Sequence, residues 1–263
     1  MSFPWVRSPR TSRTVALLLA VCAAACAGPD DAASSSAPLR LLSLGDSVPA
    51  GDVCGCTAFP DLVADGLAPT GGADVVQRAS GGATSTDVDS VLRRLAADEG
   101  PRLGAPDVVL LQAGANDLVQ QVDLATSTAG AVDTDATIER VVATLAETVD
   151  ELTATGARVV VLDYWAVGLD GAVARQEYTP AELHDQVALT DAFDDRLAVA
   201  VGSEALFVDL RPVFHGPDGT GDPTTLLAAD GDHPDAAGHR AIADAVLDVL
   251  AGSEGAAGSP GDR

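Results

Sequence analysis

The sequence contains no lysine; all 15 of its basic residues are arginine, against 39 acids, for a formal net charge of −24. That balance excludes nucleic acid and anionic head groups as partners, because the surface repels both. Aromatic residues make up only 3% of the chain, which argues against an extended lipid-binding trough. Cysteine is nearly absent too. Of four, Cys22 and Cys26 lie in an N-terminal leader-like stretch, which leaves Cys54 and Cys56 beyond it. Two thiols separated by one residue cannot form a four-ligand soft-metal site alone. They are expected to form a disulfide that shapes the loop after Ser47, with Gly55 easing the turn. No internal repeat appears, and no loop has the alternating oxygen ligands and closing Glu of a calcium site. No metal or cofactor is expected.

The N-terminus itself is organised. Arg7, Arg10 and Arg13 precede the apolar run Val15–Val21, and the first acid is Asp30. A basic region, a short apolar core and small residues form an export signal, too short to persist as a spanning helix. Ala23, Ala24 and Ala25 stand just before Cys26, the arrangement of a bacterial lipoprotein signal, so Cys26 is the expected lipidation site. Such an anchor would hold the protein on the outer face of a membrane. Ordinary cleavage releasing a soluble protein is the alternative, and Cys22, which follows Val21, is the competing acceptor. Loss of this leader would remove Arg7, Arg10 and Arg13 but no acid, taking the charge from −24 to −27. The expected organisation is a signal over 1–25, a tether over 26–37, one domain over 38–251 and a Gly/Ser/Pro tail over 252–263. Neither the tether nor the tail can bury enough apolar surface to offset ordering.

Within the domain, short apolar runs alternate with amphipathic stretches. Strands are expected near 39–44, 74–78, 106–112, 158–163 and 205–209. Helices are expected over 58–67, 86–97, 134–155, 180–201 and 234–250. The segments 164–178 and 211–229 read as irregular. Strands alternating with helices imply a parallel sheet covered on both faces.

Each strand end carries a chemical group. Leu41–Leu44 stops at Gly45-Asp46-Ser47, the second strand leads to Ser80-Gly81-Gly82-Ala83-Thr84, and the third ends at Gly114-Ala115-Asn116-Asp117. The loop after the fifth holds Asp230-Gly231-Asp232-His233-Pro234. Acyl transfer needs a nucleophile, a base, a group to orient the base and donors for an oxyanion, and these turns supply all of them. The four blocks, in this order, resemble those of the SGNH hydrolase superfamily, the GDSL-type esterases and lipases. Val48 stands where the name-giving leucine would be.

The resemblance implies an α/β/α, flavodoxin-like sheet of five parallel strands in order 2-1-3-4-5. It implies Ser47 as nucleophile, His233 as base and Asp230 as its orienting acid, with Asp232 the rival for that last role. Ser47 N–H, Gly82 N–H and the Asn116 amide would form the oxyanion hole. Asp46 and Asp117 are expected to brace their turns, and His184, His215 and His239 to lie on the surface. The substrate would be a small-molecule or glycan ester, with short acyl chains expected. A carbohydrate O-deacetylase of the same fold is the alternative, and a non-catalytic acyl- or glycan-binding lipoprotein is a reading from another class.

Overall fold

The computed structural model describes residues 39–67, 73–97, 103–104, 107–120, 133–167 and 169–257. The expected signal, tether and Cys26 lie outside them. Five strands, β1 (Arg40–Gly45), β2 (Asp74–Gln77), β3 (Val108–Gln112), β4 (Arg158–Leu162) and β5 (Leu206–Val208), form one sheet. All pairings are parallel and the order is β2-β1-β3-β4-β5, as the resemblance implies.

Alternation along the strands supplies two cores. Leu42, Leu44, Val109, Leu111, Val159 and Val161 face one side, where they pack under α3 (Ser85–Ala97), α4 (Thr134–Thr153) and α6 (Pro180–Val201). Leu41, Val108, Leu110, Val160 and Leu162 face the other, under α2 (Phe59–Leu67) and α8 (Ala236–Ala257). Burial on both faces explains why the strands read as continuous apolar runs rather than alternating ones. At the amino edge, the Arg40 guanidinium pairs with both oxygens of Asp107 and ties the start of β1 to that of β3.

The chain order reverses between β1 and β3: β2 lies on one side of β1, and everything later lies on the other. In open α/β sheets such a switch point opens a crevice at the carboxyl ends of the strands. Ser47 follows β1 and Asn116 follows β3, so both stand at its lip.

Three stretches depart from the sequence expectation. The segment 164–178 contains α5 (Gly171–Glu177), and 211–229 contains α7 (Arg211–His215) and a 3₁₀ turn, Pro223–Leu226. These pieces are too short for an apolar period to emerge, and Gly and Pro mask them. The last helix runs to Ala257, past the expected end near 250.

Candidate active site

β1 ends at Gly45, whose φ of 136° and whose position both demand glycine; a Cβ there would fall 1.8 Å from the Gln112 carbonyl oxygen. The next residue, Asp46, caps the four-residue helix α1 (Ser47–Ala50), accepting the Val48 N–H through Oδ1 at 3.1 Å. Asp46 therefore braces its turn, as expected from a short acid at an N-cap. Ser47 opens α1, half-buried, and among the described residues its hydroxyl has no hydrogen-bond partner.

The second block makes a turn closed by Ala83 N–H to Ser80 O at 3.1 Å, with Gly82 at φ 76°. A Cβ on Gly82 would meet nothing within 4 Å. Glycine is required there by backbone conformation, and the open space lies where a ligand would stand. In the third block, Gly114 at φ 127° lets the Phe193 ring lie against it, since a Cβ would sit 2.3 Å from the ring. The Asn116 amide donates to the Ala83 carbonyl at 3.1 Å, which joins the second block to the third. Asp117 accepts the Ser85 N–H and hydroxyl, both at 2.8 Å, a bracing role as expected.

The fourth block folds back on itself. His233 Nδ1–H donates to Asp230 Oδ2 at 2.7 Å, while Asp230 Oδ1 accepts the N–H groups of Asp232 and His233, each at 3.2 Å. Asp232 is the more distant acid, at 3.8 Å from Nδ1. Burial works to raise the Asp230 pKa, but these hydrogen bonds outweigh it and hold the carboxyl below its ordinary value. With Nδ1 committed as donor, the lone pair of Nε2 is left free. The loop reaches the cleft beside the serine turn, where Asp232 lines the same wall as Asp46 and Ser47.

Ser47, Asn116 and Asp232 share a cleft of about 290 Å³ with Tyr164, Leu189 and Phe193. Gly82 faces a second groove, lined by Arg78, Ser80, Asp87 and Arg94, on the other side of the serine turn. Of the sequence-predicted residues, Ser47 and Asn116 thus line the first groove and Gly82 the second, while Asp230 and His233 line neither.

Sequence reasoning missed several participants. Tyr164, in the segment taken as irregular, is buried and donates to Asp46 Oδ2 at 2.5 Å. His239 is buried, not on the surface: its Nδ1 accepts the Phe59 N–H at 3.3 Å, and desolvation pushes its pKa down to about 4. It sits beside Cys54 and Cys56, with ligand-type atoms within 4.8 Å of one another. Those two sulfurs are joined as a disulfide, so neither is a free thiolate. His215 is also drawn inward, against Asp170. Only His184, on α6, is exposed as expected. No local signal exposes these contacts, because each partner is distant in sequence.

The model of the GDSL-like lipase/acylhydrolase family matches residues 43–241, from the strand before Ser47 to the start of the last helix. No curated protein matches the chain. Among solved structures, a catalytic mutant of an acetylxylan esterase from Geobacillus stearothermophilus is similar at 22% identity and a TM-score of 0.59. That match covers 81% of this chain and 94% of the other. A lipase from a goat rumen metagenome is similar at 15% identity and a TM-score of 0.60, covering 80% and 97%. At these identities the likeness shows a shared fold. The family match spans most of the domain and takes in all four turns. The chain belongs to the GDSL-like lipase/acylhydrolase family and is an ester-bond hydrolase.

Proposed function

We propose that the protein is an exported serine carboxylesterase in which Ser47, His233 and Asp230 form the catalytic triad. The observation that carries this reading is the His233–Asp230 pair at 2.7 Å, with Nε2 free, on the loop whose Asp232 lines the Ser47 cleft. His233 Nε2 takes the Ser47 proton as Oγ bonds to the ester carbonyl carbon. The carbonyl oxygen becomes an oxyanion and accepts hydrogen bonds from Ser47 N–H, Gly82 N–H and the Asn116 amide. The imidazolium then protonates the leaving alkoxide oxygen as its bond to carbon breaks, which leaves an acyl-Ser47 ester. Water repeats the sequence and restores the serine. Asp230 holds the tautomer and stabilises the imidazolium throughout.

The acyl group belongs in the apolar cleft. Short chains were expected because aromatics are few and the flanking loops are polar. Helix α6 qualifies that expectation by laying Leu189 and Phe193 along the cleft beside Leu118, while Gln186 and Thr190 on the same helix add polar groups. The reading is a butyryl-type optimum, with acetyl accepted and long chains excluded. A second reading, O-deacetylation of a glycan, draws on the polar groove beside Gly82, which suits a hydroxyl-rich alcohol. Attachment through a lipid at Cys26 belongs to the same proposal and rests on the leader sequence.

Fluorophosphonate labelling of wild type and Ser47→Ala tests the core of the reading. Labelling at Ser47 with hydrolysis lost in a folded Ser47→Ala variant is expected; hydrolysis retained by that variant would overturn it. Acyl preference is settled by kcat/KM on acetyl, butyryl, octanoyl and palmitoyl esters, where a maximum at octanoyl or longer defeats the short-chain reading. Mass spectrometry of the mature N-terminus should find a diacylglyceryl group on Cys26, and an unmodified N-terminus elsewhere would mean free secretion.

A further inference from the structure

We propose that Tyr164 is a positioning residue for ester hydrolysis, its hydroxyl clamping the turn that carries Ser47 to the end of β4. The proposal rests on the triad and oxyanion hole proposed above. Tyr164 stands just beyond β4, fully buried, with its ring in the core beneath Phe193 and its edge on the cleft shared by Ser47 and Asn116. Its O–H donates to Asp46 Oδ2 at 2.5 Å, while the other oxygen of that carboxylate holds the Val48 N–H. One hydroxyl at the end of β4 therefore holds the residue before Ser47, and Ala115, the residue before Asn116, lines the same cleft.

The bond to Asp46 is charge-assisted and shielded from water, which makes it strong. The distance it sets matters: the nucleophile and the Asn116 amide must address one carbonyl group together, and a misplacement of about 1 Å costs on the order of a hundredfold in rate. The backbone bond from Asp46 N–H to Gln112 O, at 3.2 Å, links β1 to β3 one layer below. Tyr164 adds a hold on the serine turn from the end of β4.

The groups facing Asp46 are Tyr164 after β4, the Val48 N–H of α1, and His233 and Asp232 of the loop before α8. Asp194 of α6 also acts on Tyr164. Burial raises the Asp46 pKa to about 6, and the Tyr164 hydrogen bond is the chief influence holding it down. Removing the phenol oxygen must therefore let Asp46 keep its proton to higher pH.

The test is a double-mutant cycle on the full chain: wild type, Tyr164→Phe, Asp46→Asn and the pair. Each is assayed with 4-nitrophenyl butyrate between about pH 5 and 9, with thermal melts as the fold control. Phe preserves core volume, so a merely space-filling tyrosine would be replaced without loss. The expected result is a kcat about tenfold to a hundredfold lower in Tyr164→Phe with KM little changed. Its acid limb should move to higher pH, and the penalty should shrink in the Asp46→Asn background. A kcat within twofold of wild type, a loss confined to KM, or an equal loss in both backgrounds would overturn the proposal. Should Tyr164→Phe fail to fold, 3-fluorotyrosine at position 164 keeps the shape and strengthens the donor. The acid limb must then move to lower pH, and an unmoved limb overturns the clamp. Wild type that hydrolyses no ester and takes no label at Ser47 would instead strike the triad reading, so the two failures are separable.

Discussion

Two histidine–aspartate pairs among the described residues are alike in contact distance and differ in what the second ring nitrogen meets. His233 Nδ1 lies 2.7 Å from Asp230, and His215 Nε2 lies 2.9 Å from Asp170. In the first pair one ring nitrogen is committed and the other is free. In the second, Nδ1 faces the Gly221 carbonyl at 3.2 Å, while Nε2 lies between the Trp165 carbonyl, also at 3.2 Å, and Asp170. With acceptors at both nitrogens the ring is held as a cation: the Asp170 carboxylate, foremost, raises its pKa to about 9. A doubly engaged imidazolium has no lone pair and cannot act as a base. What it does is tie Trp165 and Asp170, which flank the cleft-lining Val167 and Leu169, to Gly221 in the loop after α7. A histidine–acid contact therefore does not by itself mark a base; the second nitrogen must also be free to take a proton.

The largest expected effect comes from breaking the first pair at its base. His233→Ala should lower kcat by about 10⁴-fold or more with little change in melting temperature, and a steady-state assay beside a thermal melt checks both. Asp230→Asn should cost slightly less, about 10³- to 10⁴-fold in kcat, because the ring survives with its tautomer no longer fixed. A wild-type kcat in that variant would hand the orienting role to Asp232, which Asp232→Asn measures directly. Asn116→Ala should lower kcat about a hundredfold to a thousandfold and leave KM nearly unchanged, since its donor acts on charge that develops in the transition state.

The smallest effect on rate is expected from the second pair. His215→Asn should keep kcat within about threefold while lowering the melting temperature by about 2–4 °C near neutral pH. The sign follows from linkage: a histidine whose folded pKa is raised to about 9 stabilises fully below its unfolded value and loses that contribution as pH rises through 9. Melting temperatures of the two proteins should therefore differ most at about pH 6 and converge at about pH 10. A gap that widens with pH would show that His215 is held neutral.

Much of this protein was determined by the sequence alone, and the reason is local. Gly45, Asp46 and Ser47 make their turn from neighbouring residues: a positive φ at glycine, then a side-chain cap within two positions. Asp230 and His233 are three residues apart on one loop, so their pairing follows from the turn itself. Apolar runs buried on both faces dictated a parallel sheet, and the five strands fell where those runs stand. Tertiary structure decided whatever depends on partners far along the chain. Tyr164 meets Asp46 across 118 positions, His239 meets Phe59 across 180, and His215 meets Trp165 across 50. A buried polar group takes the partner that packing brings near, because leaving it unpaired costs free energy. The cleft beside Ser47 is decided the same way: its wall joins Leu189 and Phe193 of α6 to Leu118, Val167 and Leu169, residues that only the folded sheet edge brings together.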